Sequence, residues 1–494
     1  MEIPLSYGTK IRSDVSAMNT VFFQTVRCYT EAVRFLCVVC ENEYERISAL
    51  NSKETVNIIE PLIHATAEHP KPKYDSFDVQ FQSFPSYLRR GAIAAAAGKV
   101  KGWHSMMENW KNGGMKGKAP SFPRVNHDSV PLYFANMFFF TDENGKRLPD
   151  RSVSCNAMVK VFCSQRQLLQ DKRLDRQVRK KINAGKLDPS KMVWDWLPVR
   201  LKTSDVGYLK KLLDNGAQIL CPSLSGRGKQ YILQFPTKRN TKLNDTPLAE
   251  RKVLAVDLGI NTPATCCVMR ADGTVVARRF FSPAKDMGCL RHKTAMVSRA
   301  QSKGSRKTPV LWRMADNANR KLSDETATFI MTVAEEFNAD VIVFEHLDTS
   351  GKKKGSKKAR LHHWRAKYVQ ELVTNRAHVK RIRISHICAW GTSRLAYDGS
   401  GKVTRGIKGN YSICRFTTGK IYNCDLSASY NIGARYFIRE IEKTTPAKVW
   451  SELKAKVPGL TSRTTCTLST LIRLCAELQS SDCSKASGTR SDVA

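Results

Sequence analysis

The sequence predicts a multi-domain α/β protein, and three observations carry that prediction. The chain has 494 residues, too many for one compact core when a domain averages about 150 residues. Its hydrophobic pattern changes twice, from helical spacing to short runs broken by turns, and then to strands alternating with helices. The run Val341 to Phe344 is wholly apolar and is entered directly from an amphipathic helix, as a central strand covered on both faces should be.

The elements follow in order. Met18, Phe22, Val26, Tyr29, Val33 and Leu36 recur at helical spacing between Ser13 and Leu50, predicting a long helix or a helix pair. Cys37 and Cys40 fall inside it as packing positions. Asn51, Ser52, Pro61 and the segment His69 to Pro72 read as a break before a second helix, Tyr87 to Trp110. A basic, glycine-rich linker from Gly113 to Pro123 closes a mainly helical segment, 1–125, whose first residues are a candidate strand of the next domain.

Residues 126–250 read as a β-rich domain. Leu132 to Phe140, Val153 to Phe162 and Gln230 to Phe235 are short apolar runs, with Asn144-Gly145 as a turn. Charged helices are expected at Gln165 to Ala184 and Ser204 to Asn215. A third domain spans 251–445. Val253 to Val256, Ala264 to Met269 and Thr274 to Phe281 form a three-stranded meander, followed by a basic segment, Lys285 to Lys321. A helix with Leu322, Thr326, Phe329, Ile330, Val333 and Phe337 on one face then feeds Val341 to Phe344. A strand-like stretch, Val379 to Ile387, an irregular insert, 388–424, and a helix opened by Asp425 complete it. C-terminal helices and a disordered tail from Ser480 occupy 446–494.

Three acids stand at element junctions of the third domain. Asp257 and Glu345 end apolar strands, and Asp425 starts a helix. A turn-forming Asp or a helix cap would explain each alone. If the first and fourth strands lie side by side and parallel, however, Asp257 and Glu345 meet, and clustered carboxylates repel without cations. Two Mg²⁺ ions about 4 Å apart resolve that repulsion and suit phosphodiester hydrolysis.

The charge asks for the same substrate. There are 81 Lys and Arg against 44 Asp and Glu, a formal charge of +37, which points to a polyanionic partner. Leu347 to Arg383 holds twelve Lys or Arg with Asp348 and Glu371 as its acids, and carries aromatic Trp364 and Tyr368. Lys352, Lys353, Lys354, Lys357, Lys358, Arg360 and Trp364 are the candidate nucleic-acid contacts. No run approaches eighteen apolar residues and the N-terminus has no signal-like apolar core, so no membrane partner and a cytoplasmic location are expected. The fifteen cysteines form no regular framework and read as reduced thiols.

The stretches VDLGINTPATC, VIVFEHL and NCDLSASYNIGARYF resemble the three motifs of the RuvC-type nuclease domain in the TnpB family of RNA-guided nucleases and in the related small type V CRISPR effectors. The likeness covers Arg251 to Ile441; before that it rests on domain order and on Gly113 to Pro123. It implies an RNase H-like (RuvC-type) domain with N-terminal helical recognition and β-rich wedge domains. It further implies Asp257, Glu345 and Asp425 as catalytic, metal-binding acids, two Mg²⁺ ions with Mn²⁺ as a substitute, a guide RNA, and cleavage of target DNA. Asn431 matches an Asn of the third motif, and Ser427 stands where an Asn is common.

One departure from that pattern concerns zinc. The family carries a four-cysteine ribbon before the third acid, whereas HICAWGTSRLAYDG and SICRFTTGK leave only Cys388, Cys414 and Cys424, with His386 nearby. A structural Zn²⁺ ion is therefore not expected, and packing of Trp390, Tyr397, Tyr411, Phe416 and Tyr422 is expected to stabilise the insert instead. Two other readings compete. A guided DNA-binding protein that does not cut should have lost an acid, and all three are present. An actin-like ATPase shares an Asp-Leu-Gly turn, but it needs a second phosphate loop that Gly399-Ser-Gly-Lys402 does not supply.

Overall fold

The computed structural model describes residues 2–13, 18–82, 84–115, 117–126, 128–149, 152–163, 180, 183–185, 193–227, 230–305, 307–347, 365–407 and 409–488. Most of the helix expected at Gln165 to Ala184 lies outside these residues. It divides into two compact units, Glu2–Asn240 and Thr241–Ala494.

The N-terminal unit opens with strand β1 (Glu2–Arg12), followed by helices α1 (Met18–Asn42), α2 (Tyr44–Ile47), α3 (Ser52–Ile63), α4 (Ser76–Gln80) and α5 (Ser86–Asn112). Asn51 and Ser52 are not a break. Asn51 accepts from the Glu54 backbone N–H at 3.0 Å while its own N–H donates to the Glu54 carboxylate at 2.9 Å, a closed capping box that starts α3. Strands β2 (Val130–Pro131), β3 (Phe138–Thr141), β4 (Asn156–Cys163) and β5 (Val193–Leu201) follow, then α6 (Thr203–Asp214), β6 (Gln218–Ile219), β7 (Ser223–Arg227) and β8 (Gln230–Asn240). The sheet runs β2-β7-β8-β1-β5-β4-β3, with β6 on β8. The first residues thus pair with the last of the unit, Glu2 opposite Asn240. Helical and strand-rich segments share one core, in which Phe22, Leu36 and Ile93 join Phe138, Val159 and Leu233. They are layers of a single unit rather than separate cores.

The C-terminal unit is built on a five-stranded sheet, β9 (Val253–Asp257), β10 (Ala264–Met269), β11 (Val275–Phe281), β12 (Val341–His346) and β13 (Arg383–Cys388), in the order β11-β10-β9-β12-β13. The first three form the antiparallel meander, and β9, β12 and β13 run parallel. The basic segment after β11 is mostly helix, α7 (Ala284–Ser302) and the start of α8 (Pro309–Glu336). Helix α9 (Ala366–Val379) continues through Val379, so the strand begins four residues later than its apolar pattern suggests. The chain reverses at Arg381, whose φ of 65° is a left-handed turn conformation no strand or helix continues through.

One sheet face, with Leu254, Val256, Ile342 and Phe344, is covered by Ile330 and Val333 of α8 and Val369 and Val373 of α9. The other, with Val253, Ala255, Val341 and Val343, lies under α10 (Cys424–Thr444), α11 (Ala447–Lys456) and α12 (Leu468–Gly488). Helix α12 runs past Ser480 to Gly488, over the start of the stretch whose composition suggests a disordered tail. The insert contains a small antiparallel sheet, β14 (Thr404–Ile407), β15 (Asn410–Arg415) and β16 (Ile421–Asn423). Ala396, Cys414, Phe416 and Cys424 form its core, with Tyr397 and Tyr422 against it. Trp390 and Tyr411 do not take part: they are 67% and 66% exposed, and the short strands leave no second layer to cover them. Gly399 to Lys402 is a turn with Gly399 and Gly401 at positive φ, and no helix follows it as a phosphate loop requires.

Candidate active site

Alternation along the strands decides where the acids point. On β9, Val253 and Ala255 face α10, while Leu254 and Val256 face α8 and α9, so Asp257 continues the α10 side. Val341 and Val343 place Glu345 on that same side of β12. Because Phe344 is in register with Val256, the two acids leave adjacent parallel strands at the same level. Helix α10 supplies the third. It approaches closely at Gly433, where a Cβ would sit 3.1 Å from Met269 Sδ and 3.4 Å from Ala255 Cβ. The side chain of Asn423 caps the helix through the Leu426 N–H at 2.8 Å, so Asp425 is not the N-cap residue.

Asp257, Glu345 and Asp425 are each half-buried. Burial pushes the Asp257 carboxyl well above the usual carboxylate range, Glu345 and Asp425 push it further, and the Arg405 guanidinium opposes them. Burial also raises Asp425, against Arg405 and a hydrogen bond donated by Thr262. Thr262 arrives through a tight turn: its carbonyl accepts the Gly259 N–H at 3.1 Å, and a Cβ at Gly259 would lie 2.8 Å from that oxygen. The hydroxyl of Thr392 donates to Glu345 Oε1, and Gln370 Nε2 on α9 donates to the Glu345 carbonyl at 3.0 Å.

Thr262, Thr392 and Arg405 were not legible as site residues. Arg405 comes from β14, where its Nη2 donates to the Ser393 carbonyl at 2.8 Å, and it brings the insert's charge to Asp257 and Asp425. Lys352, Lys353, Lys354, Lys357, Lys358, Arg360 and Trp364 lie outside the described residues. Tyr368 is exposed on α9, with the Arg365 guanidinium 5.9 Å from its ring centroid.

An all-carboxylate donor set fits a hard divalent cation such as Mg²⁺ or Mn²⁺. The raised Asp257, pressed by two other acids, is the group a cation would relieve. Among the described residues no three His, Cys, Asp or Glu side chains come close enough to enclose one ion. Mg²⁺ does not need such a cage, since it takes one or two carboxylates and completes its shell with water and phosphate oxygens. Cys414 and Cys424 are buried in the insert core, and Cys388 is exposed at the end of β13.

A family model described as the Aq_aa04 family matches residues 6–162, within the N-terminal unit. No curated protein matches the chain. Among solved structures, a Cas12f1–sgRNA–target DNA complex is similar at 14% identity and a TM-score of 0.31, covering 87% of this chain and 98% of that one. CasPhi-2 (Cas12j) bound to crRNA and phosphorothioate DNA is 10% identical with a TM-score of 0.38, over 88% and 91%. The AacC2c1–sgRNA binary complex is 10% identical with a TM-score of 0.38, over 85% and 69%. Likeness at these values assigns no function to this chain. Among the described residues no helix is long and apolar enough to cross a membrane.

Proposed function

We propose that this chain is an RNA-guided DNA endonuclease with an RNase H-like (RuvC-type) domain, in which Asp257, Glu345 and Asp425 hold two Mg²⁺ ions. The observation that carries the reading is the delivery of three carboxylates to one side of a sheet by two parallel strand ends and a helix start. The sheet order β11-β10-β9-β12-β13 supports the fold assignment. The formal charge of +37 supports guide RNA and target DNA as partners, as does the likeness of the three acid-bearing motifs to RuvC-type nucleases. Bound there, the metal ions would supply an activated water and charge stabilisation for phosphodiester hydrolysis.

The chain's own groups account for the rest. The acids are half-buried, and the exposed Arg405, whose charge reaches Asp257 and Asp425, would offer a positive charge to a phosphate bound there. Thr262 and Thr392 hold two of the three carboxylates in place.

The test begins with the RNA that copurifies with the protein, which is sequenced and used to design a matching DNA target. Asp257→Ala, Glu345→Ala and Asp425→Ala should each lower Mg²⁺-dependent cleavage by at least roughly a hundredfold, the scale on which loss of one electrostatic partner of a transition state is felt. Nucleic-acid binding should stay near wild type. A single variant that cuts at the wild-type rate removes its residue from the site. DNA cleavage that survives complete removal of RNA removes the guide from the reading.

A further inference from the structure

Beyond Asp425, helix α10 carries three buried polar side chains on one stripe, Ser427, Asn431 and Arg435, at 2%, 0% and 5% exposure. All three hydrogen-bond backbone of the segment that leaves β13, and Asn431 and Arg435 also bind backbone within residues 464–468. Ser427 Oγ accepts the Tyr397 N–H at 3.2 Å. Asn431 Nδ2 donates to the carbonyls of Thr392 and Leu395, both at 3.0 Å, and its Oδ1 accepts the Leu468 N–H at 3.2 Å. Arg435 Nη1 donates to the Cys388 and Trp390 carbonyls at 2.9 and 2.8 Å, Nε to Cys466 at 3.0 Å, and Nη2 to Thr464 at 2.7 Å.

A buried guanidinium whose bonds all end on carbonyls is a costly way to hold a loop, because apolar packing would do it without desolvating a charge. What the loop delivers explains the expense. Thr392 is 1% exposed, and its hydroxyl lies between Glu345 Oε1, the nearer acceptor, and the Ala389 carbonyl at 2.9 Å. The fixed charge of Arg435 also reaches Glu345 electrostatically. A glutamate has three rotatable bonds, so a carboxylate at a strand end needs an outside donor to keep one orientation. Thr392 is such a donor, and it holds the carboxylate at Oε1.

We propose that Thr392 is a positioning residue for Glu345, presented to it by a clamp of Asn431 and Arg435. The inference rests on the proposed metal site and goes one shell outward from it. Groups that hydrogen-bond a metal-ligating carboxylate typically contribute about 10–100-fold to metal affinity.

The experiment titrates Mn²⁺ into the full-length protein by electron paramagnetic resonance, with melting temperature measured on each sample. Thr392→Val keeps the side-chain volume and removes the donor. It should weaken Mn²⁺ binding about 10–100-fold with an unchanged melting temperature, and Thr392→Ser should restore most of the affinity. Cleavage by Thr392→Val should recover as Mn²⁺ is raised. Asn431→Ser should weaken binding in the wild-type background and add little to Thr392→Val, because both act through one hydrogen bond. Wild-type affinity in Thr392→Val, alongside lost affinity in Glu345→Gln, overturns the positioning role and leaves the metal site standing. Wild-type affinity in Glu345→Gln as well means that the metal-site reading itself has failed. Equal losses from Asn431→Ser in both backgrounds would remove Asn431 from the clamp.

Discussion

The three carboxylates are not equivalent. Glu345 accepts a hydrogen bond from the Thr392 hydroxyl and Asp425 accepts one from that of Thr262, whereas among the described residues Asp257 accepts no hydrogen bond. Its cross-strand neighbour Thr265 is fully buried, and that hydroxyl finds no partner either. With its pKa raised by burial and by two acids, Asp257 binds a proton in the folded state at pH values where the unfolded chain has released it. Stability of the metal-free protein from this group is therefore full below the ordinary carboxylate value and is lost as pH rises through the raised one. Asp257→Asn removes that loss. In EDTA at neutral pH the variant should melt higher than wild type, and a gain on the order of 1 kcal/mol would appear as about 2–4 °C. Its melting temperature should depend less on pH, and Mg²⁺ should raise it less than it raises wild type. A lower melting temperature in EDTA at pH 7 would show that the carboxylate is stabilising, and that it is not waiting for a cation.

At the level of elements, α10 has to lie close to the sheet for Asp425 to meet the strand-end acids, and Gly433 is what permits it. Gly433→Val puts atoms into Met269 and Ala255, which should cost about 1–3 kcal/mol as overpacking. It should also reduce cleavage by more than the lost stability explains, because Asp425 moves with the helix. Gly433→Ala, with one carbon to accommodate against the flexible Met269, should retain more of both; equal activity for all three proteins at matched folded fraction would disconnect helix approach from the site. The strands, and the places of Asp257 and Glu345 near their ends, are legible because the signal is local: an apolar run ended by a carboxylate shows its period within a few residues. The partners are not. Thr392 is 47 residues from Glu345, and Arg405 belongs to a β-hairpin without helical or strand-length periodicity of its own. Asn51 is ambiguous in sequence for a related reason, since a polar residue after a helix looks the same whether it ends one element or, as here, caps the next. In the insert, composition does not separate Tyr397, Phe416 and Tyr422, which join the core, from Trp390 and Tyr411, which stay exposed.

Over the whole molecule, charge has the widest consequence. Each of the two units has its own hydrophobic core, so a formal charge of +37 is not needed to hold either together and works against compactness through self-repulsion. A bound polyanion turns that repulsion into attraction. Affinity for single-stranded RNA should then fall steeply with salt, by about 0.7 in the log–log slope for each phosphate neutralised. Lys352, Lys353 and Lys354 belong to the densest basic run in the sequence. Changing all three to Ala should lower the slope by about 2 if each meets one phosphate, equally for RNAs of unrelated sequence. Filter binding across a salt series gives the number directly. An unchanged slope places the phosphate contacts elsewhere on the chain, and a loss confined to one RNA sequence means that these lysines read bases rather than backbone.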